Sequence, residues 1–122
     1  MEPYNKKVLN HFLKPKHFGE IKDATVEGES GNIKCGDIMH LYLKIKDGVI
    51  IDAKFKTLGC AAAIASSDVL CELIIGKTVE EAKNVSNKDI VEYLGMLPKV
   101  KLHCSVLGMQ TLKDAIEKYE RM

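Results

Sequence analysis

Tryptophan is absent from the 122 residues and aromatic side chains make up only 6%, so the core must be built from aliphatic and small residues. No apolar run approaches the ~20 residues that a membrane-spanning helix needs. The opening Met1-Glu2-Pro3-Tyr4-Asn5 also lacks the apolar centre of a signal peptide, and the expectation is a cytoplasmic protein with no membrane partner. Net charge is missing as well. Eighteen basic against seventeen acidic residues leave +1, which gives no global field for gripping a phosphate backbone and disfavours nucleic acid as a partner. Finally, there is no Cys-x-x-Cys pair. The four cysteines stand at 35, 60, 71 and 104, too far apart for a zinc-finger reading. In a reducing compartment they are expected to be ligands, catalysts or core residues rather than disulfide partners, and any site they share must be made by folding distant segments together.

What is present is an ordinary globular composition, 46% apolar and 29% charged, of a length that suits one domain over residues 1–122 with one core. Val8, Leu9, Phe12 and Leu13 recur at helical spacing behind Pro3 and stop at Lys14-Pro15, predicting a short amphipathic helix over 3–13. His11 and His17, with no cysteine or acidic residue at ligand spacing, read as surface or packing histidines. Ala24–Glu27 predicts a short edge strand, and the glycines at 28 and 31 predict a flexible loop after it. Met39, Leu41, Leu43 and Ile45 then alternate with His40, Tyr42, Lys44 and Lys46, and Ile51, Ala53 and Phe55 alternate with Asp52, Lys54 and Lys56. These are two half-buried strands around Asp47-Gly48.

The pairing follows from the requirement that both apolar sets share a face. A two-residue Asp47-Gly48 turn pairs Ile45 with Ile50 and so sets Leu43 against Asp52. A three-residue loop, Lys46-Asp47-Gly48, instead pairs Leu43 with Ile51, Leu41 with Ala53 and Met39 with Phe55, and is expected on that ground. Extended, this register places Asp37 opposite Thr57 and Cys35 opposite Gly59, beside Cys60.

Cys60 lies where the second strand gives way to Ala61-Ala62-Ala63-Ile64-Ala65-Ser66-Ser67, a small-residue helical run. A cysteine in a first helical turn faces unpaired amides and the positive end of the peptide dipole, which favours thiolate. Cys71 is eleven residues further along the helix predicted over 60–75, roughly 16 Å at ~1.5 Å per residue, too far to share a metal centre, and reads as core. Thr78 and Ser86 look like caps of two short connecting helices. A closing helix carries Val106, Met109, Leu112, Ile116 and Tyr119, with Cys104 in its first turn and His103 beside it. His103 suits a ligand or a proton carrier, or a histidine satisfied by a backbone carbonyl.

Three ordered motifs, Cys35-Gly36-Asp37, Gly59-Cys60-Ala61-Ala62-Ala63-Ile64-Ala65-Ser66-Ser67 and Leu97-Pro98-Lys99-Val100-Lys101-Leu102-His103-Cys104-Ser105, together resemble the IscU-type, NifU N-terminal-like iron–sulfur cluster scaffolds over almost the whole chain. The resemblance implies an α+β fold with an antiparallel sheet of about three strands and about five helices. It implies that the protein is no enzyme but a scaffold and carrier, on which Cys35, Cys60 and Cys104 hold a nascent cluster, with Asp37 and His103 near it as fourth ligand or release control. The cargo would be a 2Fe-2S cluster, or a 4Fe-4S cluster, with zinc in the apo form. Lys101 would support sulfur transfer, although a solvated lysine accounts for it equally simply.

Partners implied by the resemblance are a cysteine desulfurase that supplies persulfide, a ferredoxin-like electron donor, apo-protein acceptors, an Hsp70-type chaperone and a second copy in a homodimer. Lys99 departs from the family's usual Leu-Pro-Pro-Val-Lys chaperone segment, and Ala61-Ala62 stands where many relatives have Gly-Ser. Soft thiolates suit iron–sulfur or zinc, and a carboxylate or imidazole makes a poorer fourth partner, as befits a cargo that must leave. Two rival readings use the same residues: a SufU-like zinc-dependent sulfurtransferase, whose usual insertion between the second and third cysteines is not evident here, and a structural zinc adaptor.

Overall fold

The computed structural model describes residues 13–32, 37–58, 61–94 and 102–122. Three antiparallel strands lie in the order β1 (Val26–Asn32), β2 (Asp37–Lys46), β3 (Val49–Leu58). Four helices follow among the described residues: α1 (Ala61–Ile74), α2 (Val79–Ala82), α3 (Asn87–Leu94) and α4 (Leu102–Glu120). The helix expected over 3–13 falls outside the described residues except for Leu13.

The strands form because β2 and β3 alternate, and they bury one face completely. Met39, Leu41 and Leu43 of β2, with Ile50, Ala53 and Phe55 of β3, are fully buried under Val69, Leu70 and Ile74 of α1 and Leu112, Ala115 and Ile116 of α4. Helix α1 is apolar nearly all round, as a helix covered on several sides must be. It stops at Gly76, whose φ of 91° is a left-handed conformation that glycine adopts without a Cβ penalty. Thr78 caps α2 in a reciprocal capping box with Glu81, and Ser86 and Asp89 exchange the same pair of bonds ahead of α3.

Two expectations are overturned. The β2–β3 turn is the two-residue Asp47-Gly48 turn after all, with φ of 54° and 76°, the doubly left-handed pair of a type I′ turn. Lys46 pairs with Val49 and Ile45 with Ile50, and then Ile51 is left over as a bulge, so that Lys44 faces Asp52 and Leu43 faces Ala53. One extra residue does what a longer loop was expected to do. Ile50 is buried and Ile51 is 48% exposed. Downstream the ladder pairs Leu41 with Phe55, Met39 with Thr57 and Ile38 with Leu58, two residues from the expected register, and Thr57 therefore faces Met39 instead of Asp37.

The second correction concerns the glycines of β1. Gly28 and Gly31 sit inside a seven-residue strand paired with Leu41 and Ile38, not in a loop. Gly28 is needed because α4 lies directly against it: a Cβ there would stand 2.5 Å from the Thr111 carbonyl oxygen and 2.7 Å from the Ala115 Cβ.

Both sheet edges are covered. Residues 17–19 run along β3, where the Phe55 amide donates to the His17 carbonyl at 2.9 Å and the Gly19 amide donates to the Phe55 carbonyl at 2.8 Å. Phe18 meets Phe55 edge to face at 5.5 Å. On β1, the outward amide of Glu29 donates to the Asp114 carboxylate of α4 at 2.9 Å. That amide, and next the Lys118 ammonium, hold the Asp114 carboxyl below its ordinary value. With the folded pKa depressed, the unfolded chain takes up the proton first as pH falls. The stabilisation is complete above about pH 5 and fades as pH drops through the lower folded value. Asp114→Asn is therefore expected to lower stability at neutral pH, with a deficit in urea denaturation that narrows as the pH falls below the ordinary carboxylate range; an equal deficit at neutral and acid pH would show that the charge is not responsible.

Candidate functional site

One end of the sheet gathers the places where the predicted ligands enter or leave regular structure. Asp37 opens β2 directly opposite Asn32, the last residue of β1, and the next pair across is Ile38 with Leu58, the last residue of β3. Ala61 starts α1 only three positions after Leu58. Helix α4 reaches the same level. It runs antiparallel to β1, with Thr111 and Ala115 over Gly28, Asp114 on Glu29, and Gln110 bonded to Ser30. From Gly28 to Asn32 is four residues, roughly 13 Å of strand. From residue 113 back to residue 104 is nine, roughly 13 Å of helix. The first turn of α4, with His103 and Cys104 as its second and third residues, thus lies level with Asn32 and Asp37.

Of the residues singled out from the sequence, the backbones of Asp37, His103 and Cys104 are placed at this end, while Cys35, Cys60 and Lys101 lie outside the described residues. Cys60 and Lys101 directly precede the first residues of α1 and α4, and Cys35 lies two positions before the start of β2. Among the described residues, no three His, Cys, Asp or Glu side chains gather into a metal site. The groove between α2 and α4, floored by Ala82, Met109, Leu112 and Ile116, contains none of the predicted residues.

Beneath the strand ends lies a buried polar group that the sequence reading passed over. Thr57 of β3 and Ser67 of α1 are buried, and their hydroxyl oxygens are 2.9 Å apart. The Ser67 hydroxyl also lies 2.7 Å from the Ala63 carbonyl and 3.4 Å from the Met39 sulfur. With a single proton to give, Ser67 donates to the nearer and stronger acceptor, the carbonyl, and accepts from Thr57. The available signal was two adjacent serines in a helix made mostly of apolar residues.

Cys71 is fully buried, and burial first, then the nearby Asp68, Asp52 and Glu72 carboxylates, push its thiol well above the ordinary value. It stays protonated at neutral pH and is a core residue, as expected. His17 is a packing histidine, with Nε2 2.6 Å from the Glu72 carboxylate and its amide on the buried Asp68 at 2.9 Å.

An α+β domain with a three-stranded antiparallel sheet, its cysteine-bearing segments attached at one end, is the architecture of the small cluster-scaffold class. The chain belongs to the family described as NifU-like N terminal domain, which matches residues 3–122. It is 48% identical over 118 residues to the iron-sulfur cluster assembly scaffold protein IscU of Aquifex aeolicus, covering 95% of this chain and 75% of that protein. It is 43% identical over 122 residues to the scaffold protein IscU of Buchnera aphidicola, covering 97% and 95%. A solved structure named as an iron-sulfur cluster assembly scaffold protein for the SUF system, from Fervidobacterium islandicum, superposes with a TM-score of 0.77 at 29% identity over 93% of this chain and 96% of that one.

Proposed function

We propose that the chain, as one domain over residues 1–122, assembles a 2Fe-2S cluster on Cys35, Cys60 and Cys104 and releases it to apo-proteins. The chain is an iron–sulfur cluster assembly scaffold, not an enzyme, and it interacts with cluster donors and acceptors. The observation that carries the site is the convergence of the termini of β1, β2, β3, α1 and α4 at one end of the sheet. The stretches that hold Cys35, Cys60 and Cys104, distant in sequence, each adjoin one of these termini, and Asp37 opens β2.

Asp37 and His103 act as the exchangeable fourth ligand or as release control, since harder donors hold a soft thiolate-bound centre less firmly than a fourth thiolate. His103 and Cys104 share the first turn of α4, where the peptide dipole favours a thiolate. Lys101 lies just ahead of that turn in sequence and supports the incoming sulfur. The partners are a cysteine desulfurase, a ferredoxin-like donor and apo acceptors, in the cytoplasm, with an Hsp70-type chaperone and a homodimer as further associations. No described helix is long and apolar enough to cross a membrane. Zinc occupies the same thiolates when no cluster is present.

Anaerobic reconstitution with ferrous iron and sulfide tests this. Sulfide-to-iron charge-transfer absorption and a Mössbauer doublet of a two-iron centre are expected, and Asp37→Ala should lengthen the lifetime of that centre in air. A colourless protein that keeps one zinc and still accepts persulfide would establish the sulfurtransferase reading instead.

A further inference from the structure

We infer that the hydroxyl pair of Thr57 and Ser67 is a positioning latch, which holds the end of β3 against α1 so that the cysteine-bearing junction between them keeps a metal-ready geometry. The inference rests on the scaffold reading above.

The pair joins three elements at their site ends. Thr57 is the penultimate residue of β3, Met39 is its cross-strand partner two residues into β2 from Asp37, and Ser67 lies in the second turn of α1. Ser67 therefore sits over a directly opposed pair, bonded to Thr57 at 2.9 Å and touching the Met39 sulfur at 3.4 Å. Only residues 58–60 separate Thr57 from the start of α1, so the hydrogen bond joins the two elements between which Cys60 falls in sequence. All three side chains are buried, and among the described residues no buried side-chain polar atom lacks a partner.

Packing alone does not call for hydroxyls here. Valine at 57 and alanine at 67 would fill nearly the same space, and α1 would then lie on β3 through non-directional contacts that permit sliding. A hydrogen bond between two β-to-α neighbours sets one distance. Metal–thiolate distances fall within about 0.2 Å of fixed values, so an element that sets the spacing of β3 and α1 belongs beneath the junction. Neither residue is a ligand. Both act through the backbone that carries the ligands, as outer-shell partners do.

The test uses full-length protein and cobalt(II) as a spectroscopic probe of the thiolate site. Thr57→Val removes the hydroxyl and keeps the shape, and Thr57→Ser keeps the hydroxyl. Thr57→Val is expected to bind cobalt roughly tenfold more weakly, with an altered d–d spectrum, at unchanged far-ultraviolet circular dichroism. Thr57→Ser is expected to bind as the parent does, which a loss of bulk packing would not allow. Should Thr57→Val fold poorly, Ser67→Ala is measured in its place. Parent-like affinity and spectrum in the hydroxyl-less variant overturn the latch. A parent protein that shows no thiolate-to-cobalt bands at all overturns the scaffold reading itself.

Discussion

Cys35→Ala, Cys60→Ala and Cys104→Ala are each expected to abolish the charge-transfer absorption of the reconstituted protein, while Cys71→Ala leaves it intact. On the proposed ligand set, removing one of three thiolates takes away a ligand itself, and the loss should exceed the roughly 10–100-fold that an outer-shell change costs. The contrast with Cys71 is what makes the series decisive. Cys71 is a thiol in the last turn of α1, fully buried and pushed well above the ordinary cysteine value, and so it offers iron no thiolate. Its replacement by alanine leaves a one-sulfur void beside Leu70 and Ile74, with a stability cost of about 1–2 kcal/mol and no spectral consequence. Iron and acid-labile sulfide measured beside the spectra give the same pattern in stoichiometry. Retention of a full chromophore by any one of the three single variants would remove that cysteine from the ligand set, and loss of the chromophore in Cys71→Ala would return Cys71 to it.

The contrast between these cysteines was largely legible in the sequence, because it follows from position along a helix: eleven residues at a fixed rise separate Cys71 from Cys60 whatever the rest of the fold does. The strands were legible for the same kind of reason, the alternation of Met39, Leu41 and Leu43 against His40, Tyr42 and Lys44. Register was not. Applied to an unbroken ladder, the face rule rejected the two-residue turn, and what reinstates that turn is a bulge at Ile51, which has no marker residue: an isoleucine reads the same whether it faces the core or, as here, water. Gly28 misled for a related reason. A glycine that permits a turn and a glycine that admits a helix backbone look identical until the helix, more than eighty residues away in sequence, is in place. The latch of Thr57 and Ser67 was hidden by the small-residue character of its surroundings, in which serine passes for a helix filler.

Gly28→Ala is expected to destabilise strongly, because the new Cβ meets backbone rather than a movable side chain. It would lie 2.5 Å from the Thr111 oxygen, 2.7 Å from the Ala115 Cβ and 2.8 Å from the Ala115 nitrogen. Two of those three atoms belong to the main chain of α4, so relief requires the whole helix to retreat by roughly 1 Å. Overpacking of this kind costs about 3 kcal/mol. For 122 residues the unfolding entropy is about 0.26 kcal/mol/K, and the melting temperature should fall by roughly 12 °C. Ala115→Gly added to Gly28→Ala removes one of the contacts and leaves the other two, so it should restore only part of the loss. The functional consequence is the sharper one. Helix α4 carries His103 and Cys104 in its first turn, and a retreat of roughly 1 Å over Gly28 is several times the ~0.2 Å spread of metal–thiolate distances. Cluster yield should therefore drop in Gly28→Ala at temperatures where circular dichroism shows it fully folded. A variant that melts within about 2 °C of the parent would mean that α4 can yield at no cost, and parent-like cluster yield despite the lower melting point would mean that the docking of α4 on β1 does not set the position of Cys104.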